Sequence, residues 1–181
     1  MLNKEILAGI ITLLWATSVN AGNRHHVIID GGIVHMRGAV TASACAVSSD
    51  SISQTVDMGQ FRSNQFHGSG SYAPPVEFNI FLSGCSTAVS KEVGIAFRGI
   101  TDGKDLQVLK AGEGENAATG LGLAILDSQG EIIAPNTASH TLVPLINGDM
   151  SLRFIARYRA TSHQVTGGDA DAWTWFALSY Q

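Results

Sequence analysis

Apolar residues alternating with polar or small ones recur along this chain, and that period of two confines it to β-sheet. Val76, Phe78, Ile80 and Leu82 alternate with Glu77, Asn79 and Phe81. Val93, Ile95 and Phe97 alternate with Gly94, Ala96 and Arg98. Leu152, Phe154, Ala156 and Tyr158 alternate with Arg153, Ile155 and Arg157, and Phe176, Leu178 and Tyr180 with Ala177, Ser179 and Gln181. Each run reads as a strand with one face buried. Upstream, Val34, Met36, Gly38 and Val40 repeat the pattern. Leu121 to Leu126 is continuously apolar, as a strand covered on both faces should be. Asp127-Ser128-Gln129-Gly130 then predicts a turn into a short strand, Glu131 to Ile133. Pro74-Pro75 stands just ahead of a strand, where missing N–H donors do least harm. After the leader, no window carries the 3.6-residue period over a helical length, although Leu106 to Lys110 has room for a single turn. Many short strands between turn signals predict an all-β sandwich or barrel with Greek-key connections, without repeats, linkers or an internal boundary.

The opening residues read as an export signal. Lys4 supplies a short positive region, partly offset by Glu5. Ile6 to Ala16 is an apolar run too short to span a bilayer, and Val19-Asn20-Ala21 places small residues at a peptidase site. Residues 1–21 are therefore expected to be a signal peptide, and the mature chain to begin at Gly22. Export puts Cys45 and Cys85 where a pair oxidises and stays oxidised, and two cysteines allow one intramolecular bridge. The loop it closes removes about 4 kcal/mol of unfolded-state entropy on the chain-entropy argument. The roughly 160 residues that remain make one domain with a real core.

Charged residues are only 14% of the chain, well below the usual quarter, so much of the surface is expected to lie against something else. The net charge of −4 with scattered basic residues speaks against nucleic acid or an anionic membrane as partner. No enzyme constellation is present: no nucleophile elbow, phosphate-binding glycine loop or H-E-x-x-H. Both cysteines are committed to the bridge. His25, His26 and His35 form at best a weak metal site on an arm, and Asp102, Asp105, Glu113 and Glu115 lack the ordered ligand positions of a calcium loop. No cofactor or metal is expected. Trp173 and Trp175, two apart, share a face in a strand; such a pair either stacks on sugar or fills a core or interface, the commoner case.

Both ends of the mature chain are unusual. A long glycine-interrupted arm precedes Cys45, with Ile28, Gly32, Val34 and Met36 on one side in one register. Such an arm serves either as an ordinary first strand or as a strand added to another subunit's sheet edge, and the pattern alone favours the former. The apolar strand Phe176, Leu178, Tyr180 ends one residue before the terminus and needs a fixed neighbour.

The chain resembles the type 1 fimbrial (pilin) subunits of the chaperone–usher pathway. The resemblance rests on Gly31 to Gly38 ahead of Cys45, on Val56-Asp57-Met58-Gly59-Gln60 between the cysteines, and on Phe78-Asn79-Ile80 before Cys85. It continues through Leu121 to Asp127 with Gly130 and Arg157-Tyr158-Arg159-Ala160-Thr161, and ends with Ala170, Ala172, Phe176 and the penultimate Tyr180. It implies an incomplete immunoglobulin-like Greek-key sandwich completed by a donor strand from another chain. A periplasmic chaperone would fill the groove first, and the arm of the next subunit would replace it at the outer-membrane usher. Residues 22–38 would be the donor arm and 39–181 the sandwich domain. Ile28, Gly32, Val34, Met36 and Gly38 would be the donor positions. Phe176, Leu178 and Tyr180 would border the groove, and the Gln181 carboxylate would meet the chaperone. The bulk of Trp173, Trp175 and the His25-His26-Val27-Ile28-Ile29 segment looks closer to a minor fimbrin-like subunit that ends the rod and whose own groove resists exchange. The implied function is a non-enzymatic structural subunit of a surface fimbria on a Gram-negative bacterium; the alternative is a secreted carbohydrate-binding or adhesin sandwich.

Overall fold

The computed structural model describes residues 35–37, 43–138 and 141–181. The chain divides into a unit ending at Ala39 and one running from Val40 to Gln181, and every described strand belongs to the second. The leader, and the donor positions Ile28, Gly32, Val34 and Gly38, lie outside the described residues.

Among the described residues, eight strands form two antiparallel sheets. In chain order they are β1 (Ala46–Val47), β2 (Val76–Cys85), β3 (Glu92–Arg98), β4 (Leu109–Lys110), β5 (Leu121–Leu126), β6 (Leu142–Pro144), β7 (Gly148–Ala160) and β8 (Trp175–Tyr180). One sheet has the order β1-β2-β7-β5-β4 and the other β6-β3-β8. Consecutive strands repeatedly change sheet, from β2 to β3, from β5 to β6, from β6 to β7 and from β7 to β8, which is the crossing pattern of a Greek-key sandwich.

The alternation does what the sequence says. Along β3 it buries Val93, Ile95 and Phe97, and along β7 it buries Leu152, Phe154, Ala156, Tyr158 and Ala160. Val93, Ile95, Phe97, Leu152 and Phe154 meet in one core with Ile80, Leu82 and Ile125. Phe154 sits at its centre, edge-on to Phe97 at 5.4 Å between centroids and tilted against Phe78 at 5.6 Å. β5 is buried on nearly every residue because β7 and β4 flank it in the sheet and the turn back from it covers its outer side. Tyr158 anchors a second cluster, edge-on to Phe61, with its hydroxyl donating to the Ala170 carbonyl at 2.8 Å. Burial, and then the nearby Asp171 carboxylate, raise its pKa. The Cys45–Cys85 disulfide closes the start of β1 onto the end of β2.

Three local expectations change. Leu106 to Lys110 is no helical turn: Leu106 and Gln107 make a turn and Leu109–Lys110 is β4, because pairing with Gly122–Leu123 fixes the backbone as extended. Gly122 makes that approach possible, since a side chain there would overlap Val108 and the Leu109 carbonyl. Glu131 to Ile133 makes only a single bridge, Leu126 to Ile132, because the turn folds back too tightly for a ladder. One α-helical turn, α1 (Ser49–Ile52), and a 3-10 turn at Ser63–Gln65 occur where no period was visible. α1 has a reason: the buried Ser51 hydroxyl accepts the Phe81 amide at 2.9 Å, standing in for a strand neighbour that β1 is too short to provide.

Candidate functional site: the open edge of β8

Among the described residues, the last strand is held on one side only. β8 pairs with β3 in the register Val93 with Tyr180, Ile95 with Leu178 and Phe97 with Phe176. Its ladder begins at the chain end, where Gln181 and Glu92 exchange both backbone bonds, at 3.1 and 3.0 Å. In an antiparallel pair, bonded and non-bonded pairs alternate. Gln181, Ser179, Ala177 and Trp175 therefore turn their backbone groups to β3. Phe176, Leu178 and Tyr180 turn theirs the other way, to an edge with no strand beside it among the described residues.

These same three residues point their side chains inward. Phe176, Leu178 and Tyr180 are half-buried and pack on the main core, while Trp175, Ala177 and Ser179 are exposed. Among the described residues, an apolar strand so placed presents two unsatisfied features at once: a row of backbone N–H and C=O groups without a strand partner, and core-facing side chains only partly covered. At the Tyr180 end it lies near the start of β1, the terminal strand of the opposite sheet. Tyr180 spans the gap at one end, donating its hydroxyl to the Cys45 carbonyl at 3.2 Å.

The chain terminus is held at the same end. The Gln181 backbone oxygen accepts from the Lys91 and Glu92 amides, at 2.8 and 3.0 Å, and from the Ser90 hydroxyl. Alternation placed Phe176, Leu178 and Tyr180 on one face; nothing in the pattern announced the Ser90 clamp or the Tyr180 link, both of which join residues about ninety or more positions apart.

Of the donor positions, only Met36 is described, and it is 90% exposed. Trp173 and Trp175 fill no core: they are 77% and 73% exposed, at the start of β8.

A hollow of about 180 Å³ between β3, β6 and β7 is lined mainly by Val93, Ile95, Val143 and Phe154, with Asp127 and Arg153 at its rim. Asp127 is spent on structure. It accepts the Gln129 and Glu131 amides at 2.9 and 3.0 Å and the Thr141 hydroxyl at 2.9 Å. Burial alone would raise its pKa; the bonds from Glu131, Thr141, Gln129 and Gly130 outweigh burial and hold it below the ordinary carboxylate value. Asp102 caps its own loop by accepting the Lys104 and Asp105 amides, and Asp105 pairs with Arg159 at 3.3 Å. Among the described residues, no group of three or more acidic, histidine or cysteine side chains is placed to hold a metal.

A family model described as "Fimbrial protein" matches residues 34–181. A fimbrin-like protein of Salmonella typhi, FimI, is 44% identical over 156 residues, covering 85% of this chain and 88% of that one. A type 1 fimbrial subunit of Salmonella typhimurium is 34% identical over the full length of both chains, 185 aligned residues. Among solved structures, the P pilus rod subunit PapA superposes with a TM-score of 0.66 at 25% identity, covering 77% of this chain and all of that one. A type I fimbria protein of Burkholderia pseudomallei superposes with a TM-score of 0.59 at 33% identity, covering 77% of this chain and 91% of the other.

Proposed function

This chain belongs to the fimbrial protein family, and on that premise we propose that the β8 edge is a strand-acceptor groove, filled first by a periplasmic chaperone and then by the arm of a neighbouring subunit. The protein is a structural, non-enzymatic subunit of a surface fimbria, with an all-β sandwich of the donor-strand-complemented, immunoglobulin-like kind. Its neighbours in the fibre are other fimbrial subunits.

The observation that carries the groove assignment is the coincidence at Phe176, Leu178 and Tyr180 of an open backbone edge with half-buried core-facing side chains. A strand laid there pairs its backbone with β8 and covers the core with alternate side chains. In this reading Ile28, Gly32, Val34, Met36 and Gly38 form the arm that this chain inserts into the preceding subunit. The Gln181 carboxylate meets the chaperone before assembly. A head-to-tail contact of this kind does not close on itself and so builds a filament. Residues 1–21 are the export signal, and the usher is the site of exchange.

The 44% identity to a fimbrin-like protein favours a minor rather than an abundant subunit. The rod-ending role is the second reading, and it requires the groove to hold its chaperone strand and refuse an arm. Deletion of residues 22–36 tests the arm. The truncated chain should still be recovered with its chaperone but should be absent from purified fimbriae; truncated protein inside fibres sinks the arm assignment.

A further inference from the structure

Three donors converge on one oxygen at the end of β8. The Gln181 oxygen accepts from the Ser90 hydroxyl, from the Lys91 amide at 2.8 Å and from the Glu92 amide at 3.0 Å. A neutral carbonyl oxygen has two lone pairs and is satisfied by two donors; a carboxylate oxygen is charged, serves three, and holds each more tightly. The Ser90 hydroxyl has a single proton, and it is committed here, since its other contact, to the Glu92 carbonyl, is 3.4 Å long. Only the Glu92 amide belongs to the pairing with β3; Ser90 and Lys91 stand before that strand begins. These donors sit on a braced loop. Cys85 anchors its start through the disulfide, and Ser86 donates its amide to the Ala44 carbonyl at 2.8 Å. Thr87 donates its amide and its hydroxyl to Asn147 Oδ1, at 2.8 and 3.0 Å. The Lys91 carbonyl accepts the Leu145 amide at 2.8 Å, and the Lys91 ammonium donates to the Thr87 carbonyl at 2.7 Å. None of these bracing bonds comes from β8.

The geometry points to residues 90–92 as a receptor for the chain's own α-carboxylate, a nest of donors of the kind that captures carboxylate termini in peptide recognition. Its work is preorganisation. Among the described residues β8 has a strand neighbour on one side alone, and the last residues of a chain fray unless they are tied down. A frayed end would present no fixed row of backbone groups beside Leu178 and Tyr180, and an incoming strand would have to order that end at its own cost in free energy. Clamped at Gln181, β8 keeps its register on β3 to the last residue, with Tyr180 opposite Val93. That consequence rests on the groove reading; the receptor itself does not. The clamp takes one oxygen of the group, so it is compatible with a chaperone contact at the other.

An amidated terminus tests the receptor, because it keeps the length of the chain, the last carbonyl and the pairing with β3 and removes the charge. The mature chain is purified with its chaperone in four forms: Gln181 as acid or as α-carboxamide, each with Ser90 or with Ser90→Ala. Each form is transferred onto a synthetic peptide of residues 22–41, and the lifetime of the complemented protein in denaturant is measured. Amidation should shorten that lifetime at least about tenfold, the scale of one lost charge-assisted hydrogen bond. Ser90→Ala should shorten it by a similar factor in the acid and little in the amide, so that the two changes are not additive. Equal lifetimes of acid and amide would overturn the receptor and leave Gln181 an ordinary paired residue; so would a Ser90→Ala effect of the same size in both. Intact mass of protein from purified fimbriae should end at Gln181, and a chain extending past it would overturn the receptor as well. Wild-type protein that refuses the peptide would overturn the groove reading alone. The receptor is then read from hydrogen exchange of the Lys91 amide in the chaperone complex, which Ser90→Ala should speed at least about tenfold; unchanged exchange would overturn it.

Discussion

Asp127 is the residue on which the turn after β5 depends. Its carboxylate, 95% buried, gathers the amides of Gln129 and Glu131 and the Thr141 hydroxyl. Asp127→Ala should therefore cost about 1.5–3 kcal/mol, the usual range for losing hydrogen bonds to a charged group, measured as a shift in denaturant midpoint. The pH dependence follows from the lowered pKa. A carboxyl that titrates lower in the folded than in the unfolded chain adds stability above its unfolded value, near 3.8, and loses it as pH falls through the folded value. Wild type should thus lose stability below about pH 4 more steeply than Asp127→Ala, so the gap between them narrows in acid. An identical slope for both proteins would show that Asp127 does not titrate as described. The sequence marked this aspartate only as the first residue of a turn. Its link to Thr141 spans fourteen positions and belongs to the tertiary structure.

At the level of the element, β8 owes its properties to having two different sides. Its outward residues Trp175, Ala177 and Ser179 are exposed and share the bonded positions with β3; its inward residues share the open edge. A charge should be tolerated at one set and rejected at the other. Leu178→Lys puts an ammonium group over the core exactly where the incoming strand must seal it, and burying an unpaired charge costs several kcal/mol. Recovery of chaperone-bound protein should fall at least about tenfold. Ser179→Lys, one residue on, should change it little. Equal recovery of the two variants would show that the inward face of β8 does not border the groove. The alternation that defines these faces is legible in the sequence; that Phe176, Leu178 and Tyr180 also own the unpaired backbone groups is not. That follows only from the phase of pairing with β3, fixed by the Gln181 and Glu92 exchange.

The unit from Val40 onward is, among its described residues, a sandwich with a good core and an exposed seam along β8. Phe97, Val93 and Leu82 are fully enclosed, so the body is well packed, yet β8 offers an unpaired apolar edge of the kind that templates aggregation. The mature chain expressed alone should accumulate as aggregate, and as soluble protein when its chaperone is co-expressed, compared by fractionation of periplasmic extracts. A stable, cooperatively unfolding monomer obtained without chaperone would mean that the seam is closed from within. By itself, the order of residues determined the all-β class, the inner faces of β2, β3, β7 and β8, and the Cys45–Cys85 bridge, because a period of two and a lone cysteine pair leave a chain few ways to bury its apolar side. It could not assign strands to sheets, place β4 where a helical turn was equally open, or bring Trp173 and Trp175 out of the core. Those outcomes were decided by competition among distant segments. β4 is extended because Gly122 lets it lie against β5, and the tryptophans stay outside because Phe176, Leu178 and Tyr180 take the core-facing phase of β8. The edge proposed as the acceptor exists for the same reason: β3 takes one side of the last strand, and no described strand takes the other.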